Sequence, residues 1–412
     1  MRTAPAWLVV VLLVLAVVLL GGLGYTNYRF SVAAPGGNDF LARWVGARYW
    51  LVEGINPYDS QVDLATQRFI YGRPADRSRG EDVAHFVYPL PSMVFFAPFG
   101  LLPYTLARAI WMTLLEIALP LLVLIGIRLA RWKPPLWLVA LLMLFSVVWY
   151  FGFRSVVLGQ FAVFEAVLLS GALLAIQRRR DVLAGVLLAL AIAKPQMTFL
   201  IVPFIAIWAI PARRWALLGS ILVSHVVLIG VFLVAMPDWP LLWIRQALDY
   251  PTYTETISPV AIIANGIPRA SGWITAVVTG LLVLYCLVEW GMALGKDDRR
   301  FQWVAQMTFV ITNLIAFRTA TTNFVVMLPG LCLVFGLCMW RWGKRTVPAI
   351  VSLMVLLFAG PWLLFVRTVH GDLESLAMYP PLPLLAFFLL VWVRWWAVRE
   401  PLLPLEVSKP AG

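Results

Sequence analysis

Long apolar stretches separated by short basic clusters constrain this chain more than any other feature. Hydrophobic residues make up 62% of the sequence, charged residues make up only 13%, and the mean hydropathy is +0.88. A soluble domain of this composition would lack the polar surface needed to cover its core. The sequence therefore predicts an all-α polytopic membrane protein, in which the apolar stretches are transmembrane helices.

The first apolar run predicts a retained membrane anchor. It extends from Ala6 to Leu20 and continues through Gly24, which is long enough to cross a hydrocarbon layer of roughly 30 Å. A cleaved signal sequence would be shorter and would end at a marked small-residue site. The three cysteines, Cys286, Cys332 and Cys338, also lie in apolar runs, so neither a disulfide framework nor a thiolate metal site is indicated.

The basic clusters predict the topology, because Lys and Arg concentrate in short cytoplasmic loops. The net charge of +12 is therefore interpreted as a topology signal and not as a nucleic-acid surface. The clusters lie at 128–133, 178–180, 213–214, 296–300, 341–345 and 394–399. Helices that place them all inside are expected near 6–26, 106–127, 135–151, 161–177, 182–194, 196–211, 215–236, 273–294, 301–317, 322–341, 346–366 and 376–396.

This arrangement predicts a bundle of about 12 transmembrane helices (11–13) in the plasma membrane, with both termini in the cytoplasm. The remaining apolar run, 88–103, contains four prolines and is expected to be a half-span or an interfacial hairpin. The chain, 1–412, is interpreted as a single transmembrane domain. The segments expected outside are 27–87, 152–160, 237–272, 318–321 and 367–375.

Two external segments stand out. In the first, 27–87, the stretch from Asp39 to Glu53 has helical spacing and predicts an interfacial helix. The second, 237–272, is rich in aromatic residues and prolines and shows neither helix nor strand periodicity. Aromatic faces suit sugars, so this second segment is a candidate acceptor-side loop.

Asp39 has two interpretations on the residues alone. It is placed where a helix begins, so it suits an N-cap with Arg43 paired four residues later. It also lies in the acidic, aromatic and arginine-bearing loop where the chemistry is expected. The residues alone leave both interpretations open.

Five motifs, taken in order, resemble polyprenyl-phosphate-sugar-dependent glycosyltransferases of the GT-C fold, and in particular glycosyltransferase family 87, which includes mannosyltransferases. They are Asn38-Asp39-Phe40, Gly54-Ile55-Asn56-Pro57-Tyr58, Tyr88-Pro89-Leu90-Pro91, Gly159-Gln160 and Lys194-Pro195. The resemblance covers residues 38–195, about half of the chain.

The resemblance implies an inverting transferase that moves mannose, or another hexose or a pentose, from a polyprenyl phosphate to a lipid or glycan acceptor outside the membrane. It also implies that the acid in the first external loop, Asp39, is the base. The chemistry is consistent, because attack opposite the phosphate needs a carboxylate to take the acceptor proton. One carboxylate suffices when cations neutralise the departing phosphate.

Four basic side chains near the expected outer boundary are candidates to bind the donor phosphate: Lys194, Arg318, His370 and Arg154. Lys194 is the strongest of them, because the family pattern has a lysine there. Its alternative interpretation is a lysine that extends its ammonium from a helix end to the interface. The polar turn that begins at Arg318 is equally well interpreted as an interhelical connection.

The remaining candidates are substrate contacts. They are Asn38, Tyr58, Asp59, Tyr88, Gln160, Glu165 and Tyr253. Glu116, Glu289 and His225 lie in apolar segments and are expected to make interhelical hydrogen bonds. No His, Cys, Asp or Glu spacing indicates a metal site, so we predict a metal-independent enzyme without a cofactor.

A secondary transporter or a lipid-linked sugar flippase is the main alternative, because twelve spans with both ends inside also suit a transporter. Transporters usually show internal repeats and polar groups at the membrane midplane. The sequence has no repeat, and its candidate polar residues are expected at one face. A membrane polysaccharide polymerase is disfavoured because the late external loops are short.

Overall fold

The computed structural model describes residues 5–36, 38–252, 257–296, 298–317, 319–370 and 374–399, and their regular elements are helices. The first ten α-helices are α1 (Ala6–Ala33), α2 (Asp39–Arg48), α3 (Ser60–Tyr71), α4 (Met93–Gly100), α5 (Tyr104–Leu129), α6 (Leu136–Val148), α7 (Tyr150–Val157), α8 (Ala162–Gln177), α9 (Asp181–Leu190) and α10 (Pro195–Thr198). The others are α11 (Ile201–Ala209), α12 (Trp215–Ala235), α13 (Trp239–Asp249), α14 (Pro259–Ala264), α15 (Ser271–Ala293), α16 (Asp298–Ile315), α17 (Leu328–Trp342), α18 (Val347–Thr368) and α19 (Pro381–Arg399).

Five helical stretches of the described chain are long and apolar enough to cross a membrane, and the bent pair α6 and α7 would make a sixth. The five are Tyr104–Leu129, Trp215–Ala235, Pro268–Ala293, Thr321–Thr368 and Leu376–Arg399. These stretches confirm the prediction of an all-α membrane protein. The count of twelve spans and the sidedness of the loops stay predictions.

Some predicted helices are interrupted. The helix predicted at 182–194 ends at Leu190 and is followed by a 3₁₀ turn, Ala191–Ala193. Pro195 explains the early end, because a residue that precedes proline is disfavoured in the α conformation; the backbone of Lys194 has φ −129° and ψ 76°. The helix predicted at 135–151 breaks at Trp149, where α6 and α7 meet with a bend of 52°.

The run 88–103 agrees with the prediction of a short, broken element. It forms a 3₁₀ turn, Leu90–Ser92, followed by α4. Together these are far shorter than the roughly 20 residues that a transmembrane helix needs. α4 packs against α2, and Gly100 allows the close approach, since a Cβ there would lie 2.8 Å from the carbonyl carbon of Ala47.

The prediction that 237–272 lacks helical structure is wrong for two parts of the segment, α13 and α14. Trp239 and Trp243 lie one helical turn apart and both face the protein. The prolines obscured this pattern in the sequence. Pro240 is in the first turn of α13, where proline is tolerated because the missing N–H would have no partner within the helix.

Buried ion pairs and hydrogen bonds connect the helices. Arg394 of α19 donates to Glu289 of α15 at 2.7 Å, and Asn27 of α1 donates to Glu116 of α5 at 2.9 Å. These contacts confirm the interhelical bonds predicted for the two glutamates. His225 instead contacts the carbonyl oxygen of Ile221 in its own helix at 2.8 Å.

Candidate active site

Asp39 is the first residue of α2, but the cap of that helix is Asn38. Asn38 has an extended backbone (φ −139°, ψ 154°), and its Oδ1 accepts a hydrogen bond from the backbone N–H of Leu41 at 3.1 Å. Its Nδ2 donates to the hydroxyl of Tyr104 at 2.8 Å. The capping role that Asp39 suited is therefore filled by its neighbour, and the carboxylate of Asp39 points elsewhere.

A turn at Gly159 brings Gln160 against Asp39. Gly159 has φ +65°, and a Cβ on it would lie 2.6 Å from the Cβ of Phe40, so both the conformation and the space require glycine. The turn is fixed to α2 because the backbone N–H of Asp39 donates to the carbonyl of Leu158 at 2.9 Å. Trp111 donates to the carbonyl of Gly159, also at 2.9 Å. This packing explains why glycine precedes glutamine in the motif.

The side chain of Gln160 links Asp39 to Lys194. Its Nε2 donates to Oδ2 of Asp39, and its Oε1 accepts from Nζ of Lys194 at 3.1 Å. Lys194 is 4% exposed and lies in the turn between Ala193 and Pro195, beyond the end of α9. Burial lowers the pKa of Lys194 to about 8; the charge of Asp39 acts in the opposite direction.

Arg43 occupies the other side of the carboxylate. Its Nη1 lies 3.6 Å from Oδ1 of Asp39 and donates to the backbone carbonyl of the same residue at 2.6 Å. Its guanidinium lies over the ring of Tyr88, 4.6 Å from the centroid. Tyr58 in turn donates to the backbone carbonyl of Tyr88 at 2.7 Å. Tyr58 thus fixes the residue on which Arg43 stacks.

These residues line a cavity of about 480 Å³, a size typical of small-molecule sites. Its lining includes the polar side chains of Asp39, Arg43, Gln160 and Lys194, and also the apolar side chains of Phe199, Trp243, Ala247 and Phe317. The remaining lining residues are Val87, Tyr88, Ala193, Pro195, Gln196, Tyr250, Ala316, Thr319 and Ala320. The cavity lining therefore combines a connected group of charged and polar side chains with aromatic and apolar ones.

Of the predicted substrate contacts, Tyr88 and Gln160 line this cavity together with Asp39 and Lys194. Asn38, Tyr58, Asp59 and Glu165 are not among its lining residues. Asp59 is the N-cap of α3, since its Oδ1 accepts from the backbone N–H of Gln61 at 2.8 Å. Glu165 is completely buried in α8, and neither of its carboxyl oxygens has a hydrogen-bond partner in the described structure.

Two of the predicted phosphate ligands also lie away from the cavity lining. Arg154 is paired with Glu374, with 3.5 Å between Nε and Oε2, and Glu374 also accepts hydrogen bonds from Tyr150 and Thr321. His370 is exposed, and its Nδ1 contacts the carbonyl of Thr368 at 2.8 Å. Arg154 is thus already neutralised by a carboxylate. The last two candidates, Arg318 and Tyr253, lie outside the described residues.

Sequence reasoning missed Arg43 and Trp243 as parts of the cavity lining, whereas Tyr250 lies in the segment predicted to be on the acceptor side. Arg43 was considered only as the partner of a capping residue. The signal that would have found Trp243 is its spacing with Trp239, which places both on one face of a helix.

In the described part of the chain, no group of three or more His, Cys, Asp or Glu side chains could hold a metal ion. Metal independence stays a prediction. The positively charged side chains in the described part of the cavity lining are Arg43 and Lys194. They can neutralise an anionic group of a bound ligand.

Comparison with known families gives a match that includes much of this cavity. Residues 86–262 match the family model of glycosyltransferase family 87. The resemblance found in the motifs is therefore confirmed for this part of the chain, which is similar to glycosyltransferases of family 87. The apolar helices agree with a membrane protein. The matched segment includes Tyr88, Gln160, Lys194 and Trp243, but it begins after Asp39. No curated protein and no solved structure matches the chain.

Proposed function

We propose that this glycosyltransferase takes its sugar from a polyprenyl-phosphate donor and transfers it with inversion to a hydroxyl of a lipid or glycan acceptor on the external face. The mixed lining of the cavity is the observation that carries the proposal. Its charged side chains suit a sugar phosphate, and its aromatic and apolar side chains suit the first isoprenoid units of the lipid.

Asp39 is the base in this proposal. Its side chain remains 34% exposed and lines the cavity, and its two oxygens are oriented by Gln160 and Arg43. The carboxylate takes the proton of the acceptor hydroxyl while the hydroxyl oxygen attacks the anomeric carbon from the face opposite the phosphate. The bond between the anomeric carbon and the phosphate oxygen breaks, so the configuration inverts.

The leaving group is polyprenyl phosphate, which departs with the electron pair of the broken bond. Lys194 and Arg43 line the same cavity as Asp39 and stabilise the developing negative charge there. Because each also lies near the carboxylate, the base and the phosphate cations are held within one rigid group of side chains. Fixed charges of this kind need no reorganisation during the reaction.

The decisive experiment uses purified protein in detergent with a donor that carries a radiolabelled sugar on polyprenyl phosphate. We expect labelled sugar to appear on an acceptor in the parent protein and not in Asp39→Asn. A transporter or flippase would give no transfer in detergent, where no membrane separates two compartments, but would move labelled lipid in vesicles. That pair of results would replace the transferase proposal with the transporter alternative.

A panel of donors then identifies the sugar. Polyprenyl phosphates carrying mannose, glucose or arabinofuranose share the phosphate and the lipid, so they differ only in the groups that the cavity must recognise. We expect one of them to give a clearly higher kcat/KM. Nuclear magnetic resonance of the product reports its anomeric configuration, and retention of configuration would contradict the single-base mechanism.

A further inference from the structure

α13 presents three different surfaces around its axis. Trp239 and Trp243 face the protein, and Trp243 lines the cavity together with Tyr250, the residue that follows α13. Leu241, Ile244 and Leu248 are 63%, 45% and 74% exposed. They recur at the spacing that places them on one helix face. The charged residues Arg245 and Asp249 are also exposed and occupy a third face.

The position of α13 in the fold identifies what its apolar face meets. It follows α12 after the short turn Met236–Asp238, and α12 is a membrane-span candidate of which only 11% is buried within the protein. The exposed apolar surface of α12 continues to its last turn, where Val234 is 87% exposed. The apolar face of α13 therefore begins where a lipid-facing surface ends.

The charged face of α13 meets the external loop. Asp249 lies 3.9 Å from Arg77, and both side chains are about half exposed. A helix with one apolar face, one charged face and one buried face is typical of a segment lying along a membrane interface.

We infer that α13 lies in the membrane leaflet on the active-site side, with Leu241, Ile244 and Leu248 among the lipid acyl chains. The partner of this face is thus the lipid surface itself. α13 then separates the lipid from the reaction cavity.

The cavity opens beside α13. Phe199 and Phe317 line the cavity and are 43% and 75% exposed, and the exposed Ala247 lies on α13 between Trp243 and the apolar face. This opening, bordered by Phe199, Phe317 and Ala247, faces the same hydrocarbon layer as α13. Resting on the proposed function, the inference extends to the donor, whose isoprenoid chain leaves the cavity through this opening.

Spin labels test the position of α13 without any assay of activity. The native cysteines Cys286, Cys332 and Cys338 are buried, so a cysteine introduced on the surface can be labelled selectively. Leu241→Cys, Ile244→Cys and Leu248→Cys are prepared in lipid nanodiscs, with Arg245→Cys as the matched control on the charged face. Relaxation by oxygen, which concentrates in lipid, is compared with relaxation by a water-soluble nickel chelate.

We expect the first three labels to be relaxed more by oxygen and the label at residue 245 more by the nickel chelate. If all four were relaxed mainly by the nickel chelate, α13 would lie in water and the inference would be overturned. That result would leave the transferase proposal intact, because the measurement involves no donor.

A second pair of variants tests the opening. Ala247→Trp fills the border of the opening and is expected to raise KM at least tenfold for a long-chain donor, with a much smaller effect on a donor carrying a two-isoprene chain. Leu248→Trp, the adjacent residue on the lipid-facing side, should leave both KM values close to those of the parent. Equal effects of Ala247→Trp on both donors would show that the chain leaves elsewhere.

Discussion

Asp39 and Lys194 are joined through one neutral group, the side-chain amide of Gln160, which donates to the carboxylate and accepts from the ammonium. Their charged atoms form no direct ion pair in the described structure. A direct pair in a low-dielectric site would hold both charges strongly. In the proposed mechanism, the amide keeps the carboxylate available to the acceptor proton and the ammonium available to the donor phosphate.

This arrangement predicts the effect of Gln160→Ala. Without the amide, the carboxylate loses one of its two orienting contacts, and Lys194 is able to approach it. We expect kcat to fall by roughly 10-fold to 100-fold, with a smaller change in KM, because a misplaced base affects the reaction more than binding.

Gln67→Ala is the matched control for Gln160→Ala. Gln67 is also a buried glutamine, and its amide donates to the carbonyl of Val83 at 2.9 Å, away from the cavity lining. This variant should lose stability and keep its turnover per folded molecule. Equal kinetic losses in both variants would reduce the role of Gln160 to general stability.

Asp39→Asn tests the base itself. Because Asn38 caps α2, the substitution removes a proton acceptor without removing a cap. We expect transfer to fall by roughly 10²-fold to 10⁴-fold, the span of a positioned acid or base, with donor binding and Tm close to those of the parent. Turnover, donor binding and Tm are measured on the same sample.

The control for this variant is Asp59→Asn, which alters a carboxylate that caps α3 outside the cavity lining. Asparagine caps as well as aspartate, so activity and Tm should both be retained. Turnover of Asp39→Asn within a few-fold of the parent would remove Asp39 from the mechanism.

Lys194→Ala is expected to weaken donor binding. A hydrogen bond to a charged group contributes about 1.5–3 kcal/mol, so Kd for the donor should rise by roughly 10-fold to 150-fold. The rate should fall as well, because the same charge stabilises the leaving phosphate. Lys194→Arg should retain more of the donor affinity and of the rate. His370→Ala changes an exposed imidazole away from the cavity lining and should alter neither.

The pH dependence of the donor reaction follows from the lowered pKa of Lys194, about 8. Lysine carries its positive charge below its pKa, so the phosphate partner is present at lower pH and is lost as the pH rises through this region. We expect kcat/KM for the donor to fall as the pH rises through about 8, in a single step that forms the alkaline limb of the pH profile. This parameter reports the titration of the free enzyme. Lys194→Arg should remove the limb, because arginine stays charged; an unchanged limb would assign it to another group.

Arg154→Ala separates a structural cation from a phosphate ligand. Arg154 pairs with Glu374, whose side chain is only 8% exposed, and removing one partner leaves a largely buried charge. We expect unfolding to become easier by about 1–3 kcal/mol, with donor Kd unchanged when measured on folded protein. A large rise in donor Kd at unchanged stability would restore Arg154 as a phosphate ligand.

The features that were predicted correctly are those that residues close together in the sequence determine. The helix predicted from Asp39 to Glu53 is present as α2 and a π turn, because its spacing and cap are encoded within a few residues. Residues 88–103 were predicted to form only a short element, because prolines interrupt this run. The order of the motifs likewise predicted the family whose model matches residues 86–262.

Contacts between distant segments were not predictable in the same way. Arg154 was expected to bind phosphate, since nothing near it in the sequence indicated Glu374; Tyr150, which binds the same glutamate, is 224 residues from it. The inward face of α13 was missed because prolines and aromatic residues also suit an irregular loop. In both cases tertiary packing determined the outcome.

The hydrogen bond from the backbone of Asp39 to Leu158 has a consequence for how the enzyme is assembled. The segment with Asp39 and Arg43 is synthesised early, yet Gln160, which contacts the carboxylate, follows 121 residues later. The two segments can therefore join only after the chain has been synthesised past residue 160. A chain that ends before residue 158 lacks these contacts, so its segment around Asp39 should be open to proteases that the finished protein resists.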